Sequence, residues 1–170
     1  MCACYSSEIV DRLASYTAKR VDAHNAKRSL HVDTNPVTAA DIEVSCQAYW
    51  WASKMAEEEF FDHAYGDDRP SDQGENLAMS ASWGRIHAEL VPEIGWYDEE
   101  EPNYNYATGT SNGGVIGHFT QMVWKDTEEI GCAERTRQRD DGWTYTYSVC
   151  RYTPPGNWRG EYTEQVGDLK

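Results

Sequence analysis

Gly117-His118-Phe119-Thr120-Gln121-Met122-Val123-Trp124, then Ile130-Gly131-Cys132-Ala133, and finally Ser148-Val149-Cys150-Arg151-Tyr152-Thr153-Pro154-Pro155-Gly156-Asn157 form the stretch that decides the fold. Phe119, Met122 and Val123 recur at helical spacing and give one or two helical turns. Strand-like stretches near 130–138 and 143–152 flank Asp140-Asp141-Gly142, a turn signal, so the two read as a hairpin. Such a hairpin sets Cys132 beside Cys150 and favours a disulfide between them. The Pro-Pro-Gly-Asn run then ends the second strand by removing a backbone donor and permitting a tight turn.

Working outward, Ser6 or Ser7 followed by Glu8 is a helix start, and Ile9, Leu13, Tyr16, Arg20 and Val21 extend a helical stripe to about Lys27. The 31–36 stretch breaks it. Thr38 opens a second segment in which Ile42, Cys46, Tyr49, Trp50, Ser53 and Phe60 recur every three or four residues. Residues 66–74 read as a polar surface loop, 83–90 as a short helix, and Pro92 as the first turn of a helix through Trp96 and Glu99. The glycine-rich, aromatic 103–114 stretch reads as a long mobile loop. Helices come early and strands late without βαβ alternation, which is the pattern of an α+β fold, and 170 residues suit one domain spanning 1–170.

The formal charge of −14 argues against nucleic acid or an anionic membrane as partner. No run of about eighteen apolar residues offers a membrane-spanning helix. Met1 is followed by Cys2 and Cys4 with neither a basic start nor an apolar stretch, which fits a mature form behind an added Met and equally a cytosolic protein. The five cysteines cannot all pair within one chain, and Cys2 or Cys4 is placed to reach Cys46.

The two blocks quoted first, together with His24-Asn25-Ala26-Lys27-Arg28 and Gly74-Glu75-Asn76-Leu77-Ala78, resemble the motifs of the CAP superfamily: cysteine-rich secretory proteins, insect antigen 5 and plant pathogenesis-related group 1. That resemblance implies a three-layer α-β-α sandwich, an extracellular location and a Cys132–Cys150 bridge. It also picks out a tetrad of His63, Glu75, Glu99 and His118 in one cleft. Two imidazoles can ligate a divalent cation, Zn²⁺ above all, while the carboxylates fix the rings or balance charge. Two ligands imply micromolar binding that weakens below about pH 6 and is not required for folding.

The leading expectation is therefore extracellular recognition of a protein receptor, in defence, venom or host contact. An alternative is a sterol or fatty-acid carrier whose loop rings Trp96, Tyr97, Tyr104 and Tyr106 cover an apolar cleft. A second alternative is a weak hydrolase drawing on the same histidines and glutamates, with Ser71 or Ser80 as nucleophile. His-Glu-x-x-His is absent, so binding is favoured over catalysis. His24, Asn25 and Arg28 read as a helix-end hydrogen-bond network, while His31 and His87 carry no assigned role.

Overall fold

A computed structural model describes Cys4, residues 6–84 and residues 90–170. Its framework is one antiparallel pair and two flanking additions. Strands β5 (Glu129–Gln138) and β6 (Trp143–Thr153) form the expected hairpin, and β2 (Gly74–Trp83) pairs antiparallel with the far side of β6. The two-residue β1 (Thr38–Ala39) adds in parallel to β5, giving the sheet order β1-β5-β6-β2. Gly142 closes the hairpin at φ 89°, a conformation that side chains resist.

Alternation along the strands explains the layers. Ala133, Tyr147, Val149 and Leu77 point to one face, where α2 (Ile42–Glu58) buries Trp51, Ala52 and Met55 against them. Ile130, Cys132, Cys150 and Tyr152 point to the other, against Phe119, Met122 and Val123 of α3 (Gly117–Val123) and the rings of Trp96 and Tyr97. Two cores on opposite faces of one sheet make the three-layer α-β-α sandwich. Helix α1 (Ser7–Arg28) runs along the β5 side: Leu13 enters the first core, and Tyr16 and Val21 pack against the second. Beyond the short β1, Thr17 covers β5, its hydroxyl accepting from the Cys132 N–H and donating to the Cys132 carbonyl.

The helix-end network expected of His24, Asn25 and Arg28 is present. Asn25 exchanges two bonds with the backbone of Val37, and the His24 ring bridges the Arg20 carbonyl to the Tyr152 hydroxyl. Arg28 is 1% exposed and donates to the carbonyls of Asn35, Met122, Trp124 and Thr127. Burial lowers its pKa to about 10, so it still carries its charge at neutral pH and closes the end of α3.

Three readings need correction. Helix α2 starts at Ile42 with Asp41 as its cap, because Thr38 and Ala39 are taken up by β1. Residues 74–83 form a ten-residue strand that the sequence did not announce, and Trp83 ends that strand instead of opening a helix; positions 85–89 and His87 lie outside the described residues. Residues 103–114 hold a small hairpin, β3 (Tyr104–Asn105) with β4 (Thr110–Ser111). A short α4 (Tyr162–Gln165) follows the Pro-Pro-Gly-Asn run.

Cys132 and Cys150 are directly opposite in register and bonded, with Cα atoms 4.2 Å apart. Cys4 reaches Cys46, its thiol lying 3.8 Å from that residue's carbonyl oxygen, and Cys2 lies outside the described residues. The bridge closes a sequence separation of 18 residues. Replacing both cysteines with alanine is expected to cost about 3 kcal/mol of stability in urea unfolding. A loss below about 1 kcal/mol would show that the ladder and Thr17 hold the hairpin without it.

Candidate functional site

The site is built on β2, whose first residues lie beside the ends of two helices. Helix α2 stops where Glu59 turns left-handed at φ 59°, which frees 60–63 to cross the end of the sheet. Trp51 Nε1 donates to the Asp62 carbonyl and the Asp62 carboxylate accepts the His63 N–H, fixing where His63 sits. Its Nδ1 lies 2.6 Å from Glu75 Oε1, which also accepts the Ala64 N–H at 3.0 Å. The other Glu75 oxygen is 3.0 Å from Arg151 Nη2, and both side chains are fully buried. Burial lowers the Arg151 pKa, and the charge of Glu75 acts against that fall. With Nδ1–H given to Glu75, His63 presents Nε2 outward from a ring whose side chain is 52% exposed.

His118 is the second residue of α3. Glu100 accepts the backbone N–H groups of His118 and Phe119 through Oε2, at 2.9 and 3.1 Å, and meets His118 Nδ1 through Oε1 at 2.5 Å. A carboxylate at a helix start is favourable by itself, and this one also orients the ring. The imidazole stacks on Trp96, with centroids 6.2 Å apart and planes at 18°, and the Trp96 indole donates to the Leu77 carbonyl.

The carboxylate on His118 is therefore Glu100 and not Glu99, which is exposed at the rim. The reason is local. Residues Ile94–Asp98 form a π-helical turn in which the Glu99 N–H reaches back five residues to the Ile94 carbonyl. That turn accommodates one residue more than an α-helix would, and the acid facing α3 moves on by one.

The two histidine–glutamate pairs hang from neighbouring strand residues. Glu75 holds His63, and Asn76 donates to the carbonyl of His118 at 3.0 Å. Alternation sends the Glu75 and Asn76 side chains to opposite faces of the sheet. His63 lines a cavity of about 460 Å³ with Ser71, Gln121, Asn157 and Trp158. His118 ends a groove of about 580 Å³ walled by Phe61, Met79, Val91 and Ile94. Among the described residues, no group of three or more His, Cys, Asp or Glu side chains is arranged to hold a metal ion. Of the two serines weighed as nucleophiles, Ser71 shares the His63 cavity while Ser80 sits opposite Thr146 on β2.

The four rings expected over a lipid cleft are core residues instead. Trp96, Tyr97 and Tyr104 are buried, and the three tyrosines pack around Phe119 at 5.3 to 6.5 Å. Tyr104 donates to the Tyr162 carbonyl and Tyr106 to Glu101. Burial pushes the Tyr104 pKa up to about 12 and those of Tyr97 and Tyr106 higher still. Of the four, Trp96 alone borders the groove.

Two groups that support the site had no signal in the sequence. Arg20 and Glu93 form a buried ion pair at 2.9 Å, which ties the segment before the π-turn to α1. His31, wholly buried, joins Gly167 to the Tyr97 hydroxyl, with both bonds at 2.7 Å.

Residues 21–152 match the model of the cysteine-rich secretory protein family, CAP. Pathogenesis-related protein 1A of Nicotiana tabacum is 35% identical over 142 residues, covering 83% of this chain and 76% of that protein. Salivary antigen-5 of Dipetalogaster maximus is 34% identical over 102 residues, covering 56% and 39%. Among solved structures, BmVAL-1 superposes with a TM-score of 0.62 at 22% identity, covering 90% of this chain and 80% of that one. NaASP2, crystallised with Zn²⁺, gives a TM-score of 0.63 at 23% identity, covering 98% and 90%. At these identities the two structures share the fold.

Burial lowers the His31 pKa below its ordinary 6.5; the Gly167 carbonyl and Glu101 oppose the shift, and Arg28 and Lys170 add to it. The unfolded chain then binds a proton that the folded one resists, so this contribution is complete above about pH 6.5 and shrinks as the pH falls below it. The stability difference between wild type and His31→Asn is expected to narrow between pH 7.5 and pH 5 in urea melts. A constant difference would contradict it.

Proposed function

Since this chain belongs to the cysteine-rich secretory protein (CAP) family, we propose that it is an extracellular recognition protein whose cleft takes a divalent cation, Zn²⁺ first, at His63 and His118. The observation that carries this reading is the matched pair of imidazoles. Each has Nδ1 engaged by a buried or nearly buried carboxylate, which fixes the tautomer that leaves Nε2 as the donor nitrogen. That donor chemistry suits Zn²⁺, and the solved relative crystallised with Zn²⁺ has the same fold.

A bound ion would supply positive charge and open coordination positions at the mouth of an acidic protein, where water or a partner's oxygen or nitrogen could attach. The chain's own contribution is to hold the rings. Glu75 and Glu100 orient them, Trp96 fixes the plane of His118, and Arg151 balances the buried charge of Glu75. With two protein donors and no third in place among the described residues, affinity belongs in the micromolar class. It falls on acidification, since only the neutral ring coordinates.

An extracellular setting fits a family of this description and relatives named for saliva, venom and pathogenesis. No described helix is long and apolar enough to cross a membrane. Calorimetric titration with Zn²⁺ is expected to give saturable micromolar binding in the wild type and none in His63→Ala/His118→Ala, with thermal stability of the apoprotein little changed. Equal heats in both proteins would overturn the cation site.

A further inference from the structure

We infer that the outer edge of β2 is a docking site for an extended peptide strand that carries a basic residue at one end. Strand β2 ends the sheet order, so one side of its ten residues faces no other strand among the described residues. The Trp96 indole bonds the Leu77 carbonyl, which fixes which residues direct backbone groups outward. Alternation then turns the N–H and C=O groups of Met79, Ala81 and Trp83 away from β6.

Edge strands are ordinarily guarded by charge, proline or a bulge. Here Asn76 to Trp83 reads Asn-Leu-Ala-Met-Ser-Ala-Ser-Trp, with no charged residue and no proline, in a chain that is 26% charged. The ladder with β6 runs through all ten residues in unbroken register, so no bulge turns the edge aside.

Beside this edge lies the groove already described, with Leu77, Ala78 and Met79 along one wall and Val91, Pro92 and Ile94 along the other. Phe61, Met79, Val91 and Ile94 are each 41–52% exposed around it. So much apolar surface about one concavity marks a binding face. A strand laid along Met79 to Trp83 would extend the ladder and place alternate side chains in the groove, the main chain giving affinity and the pockets specificity.

Charge selects the occupant. The groove's far end carries the exposed Glu99 in a protein of net charge −14, which repels a second copy and attracts a lysine or arginine. The reading goes beyond the cation proposal and does not rest on it, so the test is run in EDTA.

The probe is the heptapeptide Ac-Lys-Val-Thr-Val-Thr-Val-Lys-amide, titrated to millimolar concentration and followed by the backbone amide resonances of Met79, Ala81 and Trp83. Saturable shifts are expected there, with the analogue bearing glutamate at both ends binding about fivefold more weakly or worse. Two further analogues carry N-methyl groups on alternate residues; one set should lose binding and the other keep it, because only one set faces β2. Ala81→Pro removes an outward N–H that β6 does not use, so it should keep its melting temperature and lose the peptide. Absence of saturable shifts overturns the proposal, as does equal behaviour of the two methylated sets or full binding by Ala81→Pro. Shifts confined to the side chains of Phe61, Met79 and Ile94 would assign an aliphatic ligand and overturn it too.

Discussion

The hydroxyl of Tyr152 is where three elements meet in the interior of the fold. It accepts from Asn76 Nδ2 on β2 at 3.0 Å and donates to His24 Nε2 on α1 at 2.8 Å, while the same Asn76 amide reaches the carbonyl of His118 on α3. The ring is wholly buried, and burial holds its pKa well above the ordinary 10, so the hydroxyl keeps its hydrogen under all ordinary conditions. That hydrogen sets the rest. His24 must accept at Nε2, so its Nδ1 donates to the Arg20 carbonyl, and Arg20 turns its guanidinium to Glu93. A buried unsatisfied group costs about 1–3 kcal/mol, so each member fixes the next.

Adjacent residues of β6 serve opposite faces. Tyr152 reaches the His118 carbonyl through Asn76, and Arg151 reaches the His63 ring through its buried pair with Glu75. Breaking a buried pair by removing one partner typically costs about 3–5 kcal/mol, whereas an exposed pair such as Lys27–Asp98 is worth about 0–1 kcal/mol. Rigidity of the site therefore comes from inside the sandwich, and the acidic surface adds little to it. Because both pairs attach to consecutive residues of one strand, their spacing is set by the sheet.

How far the chain could be read in advance follows from which forces were local. The β5–β6 hairpin was legible, since Tyr145, Tyr147 and Val149 alternate with threonines and serine on one side of an Asp-Gly turn. Strand β2 was not. Gly-Glu-Asn-Leu-Ala-Met-Ser-Ala-Ser-Trp contains no β-branched residue, and only pairing with β6 makes it extended. His63, Glu75 and His118 were found through motif resemblance, and their pairing follows it. Glu99 was misplaced by one because a π-turn, a tertiary compromise around Trp96, leaves no mark in hydrophobic periodicity. His31 was silent for a similar reason: its partners, Tyr97 and Gly167, are 66 and 136 residues away.

Glu75 and Glu100 do two jobs each, which changes how the site should be understood. Glu75 accepts the Ala64 N–H and pairs with Arg151, and Glu100 accepts the first free N–H groups of α3, all independently of any ring. Both carboxylates would be needed by the fold even if the histidines were absent. The histidines, by contrast, contribute one ring nitrogen each to these contacts and turn the other toward a cavity. Fold and site thus share the acids and part company at the imidazoles.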